Sequence, residues 1–327
     1  MALSGTLVGV AIAQTVIYVL FIRVIDLYER EPLRYVVPVF VWGFTVAVAA
    51  SLVFNTIFAF TLSTVASRGV TDFLTAVVGA PIIEECSKGL GLLLVFSVAY
   101  LARGRSGGVE FAGVMDGIVY GSAVGFGFAI AEDILYGMQF GAETFVVRRI
   151  FGGFAHAAFT ALTGIGIGMM AFVHHKIFKP IPPLLGLVGA MLLHAAFNLT
   201  ATLFGPLAYG VMFCVVLLYL LTIALWLAFE RRTIRDELRD EVGGTITAEE
   251  YTILPTFFRR TALYLKLILS GRLLAWTRSR KLHSAAVDLA LAKRLARRST
   301  PVREERVRAL RHKISTLRAG AAPQTTP

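Results

Sequence analysis

The chain has 327 residues, 56% of them hydrophobic and 16% charged, with a mean hydropathy of +0.71 and a formal net charge of +11. Soluble domains are only about 45–50% apolar, so a water-soluble globular enzyme is excluded, and two cysteines exclude a disulfide framework. The charge is segregated: residues 230–327 hold 21 of the 32 Lys and Arg but 10 of the 21 Asp and Glu, which leaves residues 1–229 balanced.

In chain order, residues 4–25, 35–62, 73–101, 111–137, 149–174, 182–204 and 206–229 form apolar runs. A helix needs about 20 such residues to cross a bilayer core. The first run has almost no basic flank and no small-residue cleavage site, so it is expected to stay as a helix. Alternate loops carry Arg30 and Arg34, Arg103 and Arg105, Lys176 and Lys179, and then the basic tail, while the opposite set carries Arg68, Arg148 and Arg149. Positive loops stay in the cytoplasm, which puts the N-terminus outside and the tail inside after seven spans. Arg148 and Arg149 count against this orientation.

The expected fold is all-α: a polytopic membrane helix bundle of about seven transmembrane helices over residues 1–229, with a basic helical cytoplasmic tail over 230–327. Residues 257–281 and 284–298 mix apolar residues with Lys and Arg at helical spacing, which predicts amphipathic helices on anionic lipid. The tail shows no nucleic-acid motif, and no nucleic-acid partner is expected. Residues 319–327 are expected to be disordered.

Glu84 and Glu85 lie inside the third run with Lys88 one turn later. Each intramembrane charge costs about 2.5–3.5 kcal/mol on insertion scales, so such residues need partners or a use. The fourth run carries Glu132 and Asp133, the fifth His156 and Thr160, and the sixth His194 and Asn198. Spacing of i and i+4 places Glu84 with Lys88, His156 with Thr160, and His194 with Asn198 on shared faces. Interleaved glycines let the helices approach closely. Glu84 is 11 residues from Phe73, Glu132 is 5 from the outer end of its run, His156 is 7 and His194 is 10, all within the outer half of the membrane.

Blander readings exist for single residues. A lone His is a packing group, the glutamates with Lys88 form a structural ion pair, and Asp116 and Asp133 are interfacial. Cys86 is expected to be a small apolar filler. The full set points instead to one shared site. A buried carboxylate can act as general base towards water, with His and amide groups stabilising an oxyanion. A metal variant would use Glu and His ligands to zinc. No H-E-x-x-H or G-x-S-x-G motif is present. Proton- or ion-coupled transport remains open, though without inverted repeats, and so does an inactive membrane scaffold.

Glu84-Glu85-x-x-Lys88, Phe128-x-x-x-Glu132, His156 and His194-x-x-x-Asn198, together with the stretch from Asp26 through Tyr28, Glu29 and Glu31 to Pro32, resemble the PrsW family of bacterial intramembrane proteases. That family is related to the CAAX-prenyl endoproteases and the ABI proteins. The resemblance covers residues 10–205. It implies a multi-pass protease of the bacterial cell membrane that cuts membrane-anchored proteins, such as a single-span anti-sigma factor, on the extracytoplasmic side. Asn198 departs from the family's usual Asp, which favours hydrogen bonding over metal ligation there. The expected roles follow: Glu84 or Glu85 deprotonates water, Glu132 and His156 position the water or a zinc ion, and His194 and Asn198 hold the oxyanion. Lys88 balances the charge. Glu132, His156 and His194 are the candidate metal ligands. Because Glu84 shares a face with Lys88, it is expected to be the paired carboxylate, leaving Glu85 as base.

Overall fold

The computed structural model describes residues 5–28, 30–106, 113–173, 175–297 and 301–319. Glu29 and residues 320–327, for which sequence expectations were made, lie outside that set. Among the described residues there are only helices and no strands. The chain divides into two compact units, one of Met1–Asp26 with Glu31–Ile223, the other of Leu27–Arg30 with Ala224–Pro327.

The first unit contains α1 (Gly5–Ile25), α2 (Leu33–Trp42), α3 (Val48–Ser63), α4 (Arg68–Leu74), α5 (Ala80–Ser106), α6 (Val114–Phe140), α7 (Ala142–Gly152), α8 (Ala155–Met169) and α9 (Ile181–Phe204). Helix α10 (Leu207–Leu238) begins in it and continues into the second unit. Among the described residues, five helical stretches are long and apolar enough to cross a membrane: Leu33–Ser63, Val114–Phe140, Ala155–Phe172, Lys176–Phe204 and Leu207–Glu241. α1 contributes only a shorter apolar stretch, Gly9–Ile25. α5 is not among the five, and Glu84, Glu85 and Lys88 lie near its start. The protein is thus an all-α, multi-pass membrane bundle. Its polarity is inverted relative to soluble proteins: α3 exposes Leu52, Val53, Phe54 and Phe60, whereas Glu85 and Lys88 are fully buried.

Helix α6 is the axis of this unit, and every residue over 114–131 is buried. Gly117, Gly121 and Gly125 recur every four residues and so line one face. A methyl group on Gly117 would lie 2.0 Å from the Gly164 carbonyl oxygen, and one on Gly125 would lie 2.3 Å from that of His156. Helices α6 and α8 therefore touch backbone to backbone, the small-residue packing that membranes favour.

The run expected over 149–174 is in fact two helices. α7 ends at Gly152, and α8 starts at Ala155. Arg148 and Arg149 fall on α7, where they meet Glu132 and Asp133. His156 consequently sits in the first turn of α8, not two turns in.

The second unit adds α11 (Ala248–Ile253), α12 (Phe257–Leu269), α13 (Leu273–Ala296) and α14 (Pro301–Ala319). Its core joins Ile234, Leu238, Ala285, Ala286, Leu289, Ala290, Leu310 and Ile314. Glu241 ties it together, 2.8 Å from Lys293 and 2.7 Å from Arg311. The apolar face expected to lie on lipid over 284–298 is this core, because α13 turns it against α14.

Candidate active site

Helix α5 carries the two glutamates and Lys88. It is preceded by a π-helical turn, Thr75–Gly79, in which the Ala80 N–H reaches back five residues to the Thr75 carbonyl. The next residue is Pro81, which has no N–H to give the Ala76 carbonyl. Asn198 Nδ2 donates to that oxygen at 2.8 Å. Asn198 therefore closes a gap in the backbone with one of its two amide N–H donors.

One turn further on, Glu85 is saturated. Its Oε1 accepts from Lys88 Nζ at 2.8 Å and from His194 Nδ1 at 3.1 Å, and its Oε2 accepts from Thr160 Oγ1 at 3.1 Å. Glu84 is different. Its Oε2 is buried without a hydrogen-bond partner, 3.5 Å from Lys88 Nζ and 4.0 Å from His194 Nε2. The sequence expectation is reversed: Glu85 is the tightly paired carboxylate, and Glu84 is the freer one. The i, i+4 argument placed Glu84 over Lys88, but the i, i+3 contact is shorter.

The tautomers follow from the donors. Lys88 Nζ, an ammonium donor, lies 3.0 Å from His156 Nδ1, which must accept. His156 Nε2 then carries the proton and donates to Glu132 Oε2 at 2.6 Å. His194 donates from Nδ1 to Glu85, so its Nε2 lone pair faces Glu84. Each histidine thus has one ring nitrogen held by a carboxylate, the outer-shell support typical of metal-ligating imidazoles. The ammonium of Lys88 also stands 3.8 Å from the centre of the Phe128 ring, and the His194 ring stacks on Phe159.

Glu84, Glu85, Lys88, Glu132, His156 and His194 thus form one network, and Asn198 stands beside it on the backbone of the π-helical turn. Among the described residues, Glu84, His156 and His194 each offer a ligand atom within 4.8 Å of the others. Glu84 takes the place in this trio that the sequence assigned to Glu132. Glu132 is instead held by His156 and by Arg148 Nη2 at 2.7 Å.

Sequence reasoning missed Arg148. It lies 2.5 Å from Asp133 as well as against Glu132, and Arg149 pairs with Asp133 and donates to the Ala129 carbonyl. The signal was present, since an Arg pair beside an apolar run should seek intramembrane carboxylates. Asp133 is accordingly a buried ion-pair member and not an interfacial residue, and Asp116 accepts from the Gly113 N–H at the start of α6. Cys86 is exposed and does not fill the bundle interior.

Residues 31–226 match the family described as PrsW family intramembrane metalloprotease. The chain is similar to Protease PrsW of Shouchella clausii (strain KSM-K16), 29% identical over 221 residues, which cover 67% of this chain and 94% of that one. It is 30% identical over 171 residues to Protease PrsW of Geobacillus kaustophilus (strain HTA426), covering 52% and 69% of the two chains. It is also 30% identical over 151 residues to Protease PrsW of Bacillus subtilis (strain 168), covering 46% and 62%. No solved structure matches.

Proposed function

We propose a division of labour for this site from one premise: the chain belongs to the PrsW family of intramembrane metalloproteases and is a peptidase. Transport and scaffolding give way to that assignment. Glu84 is the general base. The observation that carries this is its buried, unpartnered Oε2 facing the His194 Nε2 lone pair. A water held between these atoms passes a proton to Glu84 as its oxygen attacks the scissile carbonyl. Glu84 then returns the proton to the leaving amide nitrogen. Glu85 and Glu132 orient His194 and His156. Lys88, near both Glu84 and Glu85, balances their charge and is the cation closest to the developing oxyanion. Asn198 acts by positioning α5.

The donor set fits a divalent ion. With an ion bound, Glu84, His194 Nε2 and His156 Nδ1 would hold it, two nitrogens and one carboxylate as in catalytic zinc sites, and Glu84 would then serve as ligand in place of base. Zinc is the ion this set suits, and it would supply Lewis acidity and a more acidic water. For His156 to ligate, Lys88 must release Nδ1, which it occupies as a hydrogen-bond donor.

The substrate in this reading is a membrane-anchored protein, with a single-span anti-sigma factor as one candidate. The site lies in the outer half of a bacterial cell membrane, the N-terminus outside and the tail in the cytoplasm. Ion pairing of Arg148 and Arg149 to Glu132 and Asp133 supports that orientation, because it accounts for the outer cations. The spacing of the Glu84-Glu85 and His194-x-x-x-Asn198 motifs supports kinship with the CAAX-prenyl endoproteases and ABI proteins.

The test uses purified protein in proteoliposomes with a single-span reporter. Wild type cleaves, and Glu84→Gln does not. Full activity in Glu84→Gln would end this assignment. Metal analysis of the same samples should find close to one zinc per wild-type chain and much less in His194→Gln; metal-free protein with full activity removes the ion from the reading.

A further inference from the structure

The tail lies beyond the family match, which ends at residue 226. Within it, α12 has two faces. Arg260, Tyr264 and Leu267 point into the unit: Arg260 donates to the Leu27 carbonyl and lies over the Tyr28 ring, Tyr264 meets His283 Nδ1 at 2.9 Å, and Leu267 is buried. On the opposite side, Phe258, Ala262, Leu265 and Leu269 follow each other at i, i+4, i+7 and i+11, and all are exposed. Phe258 is 81% and Leu269 85% exposed.

The turn at Gly271 (φ 70°) then begins α13 with Leu273 and Leu274, 56% and 79% exposed. Among the described residues after α10, the large apolar side chains with the highest exposure, Phe258, Leu269, Leu273 and Leu274, all fall in this stretch. The cations sit beside it. Arg259, Lys266 and Arg272 are exposed along the same helix and turn. Residues 251–287 contain seven Lys and Arg and no Asp or Glu.

We infer that α12 and the first turn of α13 form an in-plane anchor that inserts into an anionic lipid surface. Its apolar stripe enters the acyl boundary, and Arg259, Lys266 and Arg272 contact lipid phosphates. Two features select lipid over other occupants. Nucleic acid would use the cations but leave Phe258 and Leu269 in water. A protein groove would take the stripe but does not call for a segment free of acidic residues. A bilayer uses both, and the tail is tethered to one: α12 starts 19 residues after the end of the membrane helix α10. Residues 284–298 are not part of this surface, because their apolar face packs into the unit core.

The experiment uses the full-length protein with Cys86→Ser and Cys214→Ser, and a single environment-sensitive label at Leu269→Cys. The control label is at Ser284→Cys, an exposed site off the stripe. Each protein is reconstituted in phosphatidylcholine vesicles with and without phosphatidylglycerol. The expected result in anionic vesicles is that brominated lipid quenches the label at 269 and aqueous iodide does not. The label at 284 is open to iodide throughout. Replacing Arg259, Lys266 and Arg272 by Gln should cut the shielding at 269 several-fold. Iodide access at 269 in anionic vesicles overturns the inference. So does shielding without quenching by brominated lipid, which would mean that a second copy or another protein covers the stripe. Shielding that ignores both phosphatidylglycerol and the Gln substitutions overturns the role of charge. None of these readouts requires cleavage.

Discussion

At the scale of the residue, Glu84 and Glu85 are neighbours in sequence and opposites in environment. Glu85 accepts three hydrogen bonds from three helices, including its own. Glu84 leaves an oxygen unused. Replacing each by Gln should separate chemistry from architecture. Glu84→Gln is expected to lower reporter cleavage by roughly 10²–10⁴-fold, the range for a lost general base, with an unchanged or higher melting temperature. Glu85→Gln should lower both, because a buried Lys88 loses its closest counter-charge, and breaking such a pair costs about 3–5 kcal/mol. Thermal melts in detergent and cleavage in proteoliposomes distinguish the two. A lower melting temperature for Glu84→Gln than for Glu85→Gln would contradict the assignment.

At the scale of the element, the site depends on how close helices can come. Gly125 lets α6 lie against the backbone of α8 at His156, so close that a Cβ on Gly125 would stand 2.3 Å from the His156 carbonyl oxygen. Gly125→Ala should push α8 away from α6 where His156 meets Glu132. Overpacking of this kind costs about 1–3 kcal/mol, and cleavage should fall even in protein that still folds. Spectra of a folded but inactive variant would bear this out, and wild-type cleavage would refute it. The bond of Asn198 to the Ala76 carbonyl predicts a different phenotype. Asn198→Ala leaves a half-buried acceptor unpaired beside Pro81, for a cost of at most about 1–3 kcal/mol. The loss should appear as lower thermal stability and faster hydrogen exchange around residues 75–85. An Asn198→Ala variant with wild-type stability and no activity would return this residue to the oxyanion.

At the scale of the whole molecule, each unit has its own electrostatic signature. In the tail unit, burial holds the His283 imidazole down at about 4, with Arg260 adding to the effect and Glu250 opposing it. Free imidazole titrates near 6.5. Below that value the unfolded tail binds a proton that the folded tail refuses, so folding stability rises with pH across the window. The contribution is complete above about 6.5 and is lost as pH falls towards 4, at up to ~1.4 kcal/mol per pH unit. Hydrogen-exchange protection factors of α12 and α13 in the full-length protein, taken relative to the intrinsic rate at each pH, should fall between pH 7 and pH 5, and His283→Gln should flatten that dependence. For the membrane unit, the prediction concerns orientation. A fluorescent protein fused after residue 327 should mature in the cytoplasm, whereas an export-dependent reporter at the same place should stay silent. The opposite pattern would invert the proposed topology.

Much of this was legible in the chain itself, because the bilayer imposes simple rules. Apolar runs over 35–62, 111–137, 182–204 and 206–229 had to be helices, since lipid offers no partner to an open backbone. Charged residues within such runs had to converge, which singled out Glu84, Glu85, Lys88, Glu132, His156 and His194. Periodicity, however, is a property of one helix at a time. It could not show that Gly152 and Gly153 end α7 and move His156 to the start of α8. Nor could it show that Pro81 orphans a carbonyl for Asn198, or that the apolar face over 284–298 is core while that of α12 is bare. Which glutamate is spent and which is free was decided only in three dimensions. Lys88 can satisfy just one of them closely, and Thr160 and His194, far away in the chain, take the same side.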